Sequence, residues 1–182
     1  QMIPEPMTAN LQVLAGHVKA DEQIQLGFAT NTDASELGVI TSKGEKLHPQ
    51  ILILILTQYL KTEKGIVADV FACQGVNSHL DKICQQLDVN KQGLDFWMKD
   101  AIRTVGEKEY MQICDAKGNM AFGMHVPDND SIYTALLLLE CLSKTNKTLD
   151  EWVQEIENLT GGFFHEQTSI DMTNDQLKSV EE

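Results

Sequence analysis

Basic residues are scarce in this sequence. Fourteen Lys and Arg stand against 27 Asp and Glu in 182 residues, a formal net charge of −13 at pH 7. That balance excludes a general nucleic-acid binder, because phosphate backbones are held mainly by Lys and Arg. It also leaves no basic amphipathic stretch for an anionic membrane surface. Long apolar runs are missing as well: the longest, residues 51–56 and 135–139, fall far short of the ~20 residues that span a bilayer. No basic-then-apolar leader is visible, so a cytoplasmic location is expected. The chain begins at Gln1 rather than Met, and both an excerpt of a longer protein and a free-standing chain stay open.

Cysteine is sparse and dispersed. Cys73, Cys84, Cys114 and Cys141 lie far apart inside apolar segments, which is no zinc pattern, and buried free thiols are expected. The five histidines, His17, His48, His79, His125 and His165, never fall in metal-ligand pairs. There is no G-x-S-x-G elbow, Walker loop or G-x-G-x-x-G, so hydrolase and nucleotide readings have no motif behind them. Three N-x-S/T sequons, at Asn129, Asn146 and Asn158, are taken as chance.

What is present is an ordinary globular composition, 42% hydrophobic and 23% charged. Thr8 is placed to cap a helix running to about Lys19. Strands are expected over 26–30 and 37–41, joined by the polar loop 31–36, with a turn over 42–46 in which Gly44 supplies positive φ. Pro49 suits a first helical turn. The run ILILIL after it fits a strand by alternation, but its continuation through 57–61 favours a helix buried on most sides.

Further on, residues 65–73 read as a strand and 78–87 as a helix with Leu80, Ile83, Cys84 and Leu87 inward. A short segment, 89–92, leads to Gly93 and a helix over about 95–103 with Asp95 as its N-cap. Strands over 110–114 and 120–124 follow, joined through 116–119. Asp130 or Ser131 caps a helix over 132–143, and Thr148-Leu-Asp-Glu151 is a capping box ahead of a helix ending near Leu159, with Gly161 and Gly162 behind it. Trp97 and Trp152 are expected in the core. The tail, 163–182, reads as a strand and then a short acidic helix or frayed end. Strands alternating with helices imply an α/β layered fold with a mixed sheet, divided at about Leu47.

Three stretches carry a resemblance: P-E-P…N-L…L-G-F-A-T-N-T-D-A-S-E-L-G-V-I, then K-G-E-K-L-H-P-Q-I-L…Y-L, then D-N-D-S-I-Y-T-A-L-L-L-L-E. Together they resemble the α-D-phosphohexomutase family, which includes the phosphoglucomutases, phosphomannomutases and phosphoglucosamine mutases. The resemblance runs from about residue 4 to 157. It implies an α/β/α architecture in which 1–47 is the end of a second-domain unit, 48–160 a third-domain unit and 161–182 a tail toward a fourth domain.

The family moves a phosphoryl group between two positions of a hexose through a phosphoserine and a sugar bisphosphate. It holds Mg²⁺ on a D-x-D-x-D-R loop and reads sugar hydroxyls with a G-E-E-S-G-H-like loop. Carried over, the metal loop is Asn31-Thr-Asp33-Ala-Ser35-Glu36, with Asn31, Asp33 and Ser35 at the ligand positions. Only Asp33 keeps a carboxylate, and Glu36 stands where the family has arginine. Hard cations favour sites with many anionic oxygens, so weak or absent Mg²⁺ binding is expected.

The sugar loop is Cys114-Asp115-Ala116-Lys117-Gly118-Asn119, where Asp115 and Gly118 survive in kind and Lys117 and Asn119 depart from the pattern. The family's G-F-K loop is matched by Gly93-Leu94-Asp95, which puts a negative charge where a phosphate would need a positive one. The resemblance therefore implies a phosphohexomutase-like fragment without mutase activity of its own. The alternative is a non-catalytic module that binds a hexose phosphate or a protein partner. Oligomeric state and sugar preference are left open by the sequence.

Overall fold

The computed structural model describes residues 6, 8–76, 78–95, 97–106 and 109–162. The N-terminal part is an antiparallel pair, β1 (Gly27–Thr30) and β2 (Leu37–Ile40), with α1 (Gln12–Ala20) against both strands. Leu11, Val18 and Ile40 form its small core. Thr8 is not the cap. Its carbonyl accepts a 3.2 Å bond from the Leu11 N–H in a turn, and the helix starts only after Leu11 has anchored in the core. Gly44 takes φ 77° as expected, packed so closely on α1 that a Cβ would lie 3.0 Å from the Ala15 carbonyl oxygen.

The ILILIL segment is helical. α2 (Pro49–Thr62) buries every residue from Gln50 to Leu60, because it lies between a sheet and three other helices. Only a helix fits the length of that run, and no face of it is left for water.

The larger sheet has the order β4 (Lys91–Leu94), β3 (Asp69–Cys73), β5 (Tyr110–Cys114), β6 (Met120–Phe122). The first three strands are parallel and β6 is antiparallel. α3 (His79–Gln86) carries the chain from β3 to β4, and α4 (Met98–Val105) carries it back past β3 to β5. The two crossovers run in opposite directions across the sheet, so right-handed connections put their helices on opposite faces. Accordingly Leu80, Ile83 and Cys84 join α2 in the main core, while Met98, Ala101 and Val105 pack on Phe71, Cys73 and Ile113 on the other side. The result is an α/β/α layered domain with a mixed sheet. Met111 is an extra residue in β5, since Asp69 pairs with Tyr110 but Val70 with Gln112. The bulge leaves Gln112 to donate to Thr57 Oγ1 of α2 at 2.5 Å.

α5 (Ser131–Thr145) and α6 (Leu149–Thr160) complete the α2 side. Asp130 caps α5, accepting from the Tyr133 N–H at 2.8 Å. Thr148 and Glu151 form the expected capping box, with Trp152 1% exposed behind it. α5 buries Thr134, Leu137, Leu138 and Cys141 and turns Ile132, Leu136 and Leu139 outward.

Several expectations need correction. Residues 65–68 are not strand, because the Ile66 N–H bonds back to the Leu60 carbonyl at 3.0 Å and closes α2 instead of joining the ladder. Asp95 does not cap α4: pairing of Leu94 with Cys73 keeps the chain extended, and the helix begins at Met98 with Trp97 as its extended N-cap. Trp97 is 76% exposed rather than core, since α4 faces the sheet through Met98, Ala101 and Val105. All four cysteines are free and buried. Residue 96 of the expected 95–103 helix and the tail reading on 163–182 lie outside the described residues. Among the described residues, no helix is long and apolar enough to cross a membrane.

Candidate functional site

In an open parallel sheet, ligands bind beyond the carboxyl ends of the strands, at the point where the strand order reverses. Here the reversal falls at β3, with β4 on one side and β5 on the other. The segments leaving that edge are 74–76 after β3, Asp95 after β4 and 115–119 after β5. Topology alone thus brings two of the sequence-predicted stretches, Gly93–Asp95 and Asp115–Asn119, to one edge.

The 115–119 segment is a tight turn built around one carboxylate. Asp115 Oδ1 accepts from the Lys117 N–H at 2.9 Å and the Asn119 N–H at 3.1 Å, and Oδ2 accepts from Asn119 Nδ2 at 2.9 Å. Gly118 closes the turn at φ 86°, where a Cβ would lie 2.5 Å from the Pro49 Cβ. Only glycine meets both the left-handed backbone and that approach. Both oxygens of Asp115 are therefore occupied within the turn, and Asn119 is turned inward, 9% exposed. The group that projects is Lys117, 66% exposed at its side chain.

Lys117 Nζ reaches Glu36 Oε1 at 3.4 Å. This contact joins the 31–36 loop to the 115–119 turn, two segments the sequence reading treated separately. Glu36 also faces Lys46, whose ammonium is pulled below its ordinary pKa by burial and drawn back by that carboxylate. The arginine-to-glutamate departure is thus matched by a lysine on the opposing loop.

Within the 31–36 loop the three ligand-position residues bond to one another. Asn31 Oδ1 accepts from the N–H groups of Ser35 (2.9 Å) and Glu36 (3.0 Å), and Asn31 Nδ2 donates to Ser35 Oγ at 2.9 Å. Ser35 Oγ donates to Asp33 Oδ1 at 2.7 Å, and the Ser35 N–H donates to the same oxygen at 3.1 Å. The Ser35 hydroxyl, then its N–H, holds the Asp33 carboxyl below its usual range. Ala34 takes φ 56°, and its carbonyl accepts from the Ser131 N–H at 2.9 Å, which fastens the loop to the start of α5. A divalent ion on this loop would have one carboxylate and a carbonyl already shared by two N–H groups. That donor set does not fit Mg²⁺, which takes near-octahedral oxygen coordination. Among the described residues, no group of three or more His, Cys, Asp and Glu could hold a metal ion.

Gly93 pairs with Ala72 inside β4, and Asp95 follows that strand in a bend at the sheet margin. The thiols beside this edge are not activated as nucleophiles. The Cys73 thiol is pushed up to about 11 by burial and then by Asp115, and Cys114, fully enclosed, lies well above its ordinary value for the same first reason. Two participants escaped the sequence reading. Lys46 was read only as part of a turn and a framework stretch, not as a functional residue, and Gln50, inside the helical run, donates Nε2 to the carbonyls of Gly75 (3.2 Å) and Ala116 (3.4 Å). A polar residue at the first turn of an otherwise apolar helix was the available signal.

A layered α/β/α domain with its loops gathered at the carboxyl edge of a parallel sheet is a ligand-binding class of fold. Residues 48–159 match the family described as phosphoglucomutase/phosphomannomutase, alpha/beta/alpha domain III. The chain belongs to that family. It is 32% identical over 139 residues to a phosphoglucosamine mutase of Campylobacter hominis, covering 69% of this chain and 28% of that protein. A phosphoglucosamine mutase of Halalkalibacterium halodurans is 26% identical over 153 residues, 80% of this chain and 33% of the relative. Among solved structures, one described as a putative phosphomannomutase from Thermus thermophilus superposes with a TM-score of 0.80 at 27% identity, over 87% of this chain and 36% of that one. A phosphoglucomutase/phosphomannomutase family protein of Burkholderia thailandensis shares the fold, with a TM-score of 0.73 at 19% identity, over 86% of this chain and 33% of that one. The chain spans about a third of the length of the curated relatives it matches.

Proposed function

We propose that this chain is the third-domain portion of a phosphohexomutase, with the end of the second domain (1–47) attached, and that it does not itself catalyse phosphoryl transfer. The observation that carries the reading is the 31–36 loop. Asn31, Asp33 and Ser35 bond to one another, and the Glu36 carboxylate is paired with the Lys117 ammonium. A phosphoryl transfer needs cationic charge aimed at the transferring group. Here two lysines at the loop, Lys46 and Lys117, face a carboxylate instead. On this reading Mg²⁺ is bound weakly or not at all, and the chain is a pseudoenzyme of the cytoplasm. Residues 161–182 lead toward a fourth domain.

A second reading, binding without turnover, draws support from Lys117. Its exposed ammonium stands at the edge where Gly93, Asp95, Asp115, Gly118 and Asn119 come together, and a hexose phosphate could exchange with Glu36 for it. The test runs purified chain with glucose 1-phosphate, glucose 1,6-bisphosphate and Mg²⁺. No glucose 6-phosphate is expected, while a melting-temperature rise with hexose phosphates but not free hexoses supports the second reading. Conversion at ordinary enzymatic rates, about 1–10³ s⁻¹, overturns the first.

A further inference from the structure

We propose that Gln50 is a positioning residue that sets the 115–119 turn against the 74–76 segment, fixing the width of the edge between them. The inference rests on the reading that this edge faces a ligand. Beyond the backbone bonds inside it, four sets of contacts hold the turn. Three are the internal bonds of Asp115, the seat of Gly118 on Pro49 and the Lys117–Glu36 pair. The fourth is the Gln50 amide, which reaches Gly75 and Ala116 at once.

The geometry favours Gln50 as the controlling member. It is 4% exposed at the start of α2, the most enclosed helix of the fold, so its side chain is held by a rigid element. His48 supports that start, accepting from the Gln50 N–H through Nδ1 at 3.3 Å. One amide nitrogen carries two N–H groups, and both acceptors are backbone carbonyls, 25 and 66 residues away along the chain. A single atom thus spaces two loops that are distant in sequence. The loops are already close, since a Cβ on Gly75 would lie 3.0 Å from the Ala116 Cβ. Without the amide, two inward carbonyls lose a shared donor, and separation or entry of water relieves them.

Gln50→Met keeps the volume and removes both donors. Gln50→Glu keeps the shape and points oxygen at oxygen. Gln58→Met, a buried glutamine further along the same helix whose Nε2 bonds Glu155 instead, is the control. Amide hydrogen exchange and ¹⁵N chemical shifts are read on the whole chain. The expected result is exchange at least tenfold faster at Ala116–Asn119 and around Gly75 in both Gln50 variants. Shift changes confined to those residues, unchanged protection in the middle of α2, and no such effect from Gln58→Met complete the pattern.

Unchanged exchange at those loops overturns the proposal. So does acceleration spread evenly over the domain, which reports only lost stability. Melting curves with glucose 1-phosphate form a separate arm. If wild type responds and Gln50→Met does not, positioning extends to the ligand. If wild type itself gives no response, the sugar-phosphate reading fails while the exchange result still decides the role of Gln50.

Discussion

Asp130 shows how one carboxylate does structural work in this domain. Burial pushes its carboxyl up, but the Tyr133 N–H and then His125 outweigh that, and its pKa ends below the ordinary 3.8. His125 Nε2 lies 2.8 Å from Oδ2 and stacks on Tyr133 at 4.0 Å. A depressed carboxyl stabilises the folded state above its unfolded pKa and loses that contribution as pH falls through its folded pKa. Asp130→Asn is therefore expected to lower the melting temperature near neutrality, with the gap to wild type closing as pH falls below about 4. Melting curves from pH 3 to 7 check this, and a gap that stays constant rejects the linkage. Gly118→Ala must force a Cβ toward Pro49 from a left-handed backbone. A loss of roughly 1–3 kcal/mol in urea denaturation is expected.

At the scale of elements, α5 offers a contrast within one helix. Leu137 is 2% exposed and Leu136 59%. Leu137→Ala should cost about 2–5 kcal/mol, and Leu136→Ala no more than about 0.5 kcal/mol, measured side by side in denaturant. Elements were legible where periodicity and capping agreed. Pro49 with the long apolar run specified α2, and Thr148 with Glu151 specified the start of α6. α4 was misplaced because strand pairing of Leu94 with Cys73, a contact between distant segments, overrode the local cap signal of Asp95. Trp97 is expected in the core on the apolar face of a helix over 95–103, yet it sits one residue before the helix that makes the contact. The 65–68 stretch has strand-forming residues but, among the described residues, no strand to pair with.

For the whole molecule, the family and its layered architecture were readable in the sequence because framework segments kept their apolar pattern. The loops were readable only as departures: Glu36 for arginine, Lys117 beside one carboxylate, Asp95 for lysine. What no motif could supply was that two of these departures meet. The Glu36–Lys117 contact spans 81 residues of chain, and it exists only because the β1–β2 pair and the β5–β6 turn are brought to one edge. Its side chains are partly exposed, so salt should weaken it. Lys117→Ala is expected to leave the melting temperature within a few degrees of wild type, since exposed ion pairs contribute at most about 1 kcal/mol.

The central claim is that the framework persists while the 31–36 loop no longer serves a metal. Calorimetric titration of Mg²⁺ into the chain, beside a variant carrying Asn31→Asp, Ser35→Asp and Glu36→Arg, tests it most directly. No binding heat is expected from the natural sequence through millimolar Mg²⁺, and saturable binding is expected from the variant with three carboxylates. Saturable binding by the natural sequence would contradict the account.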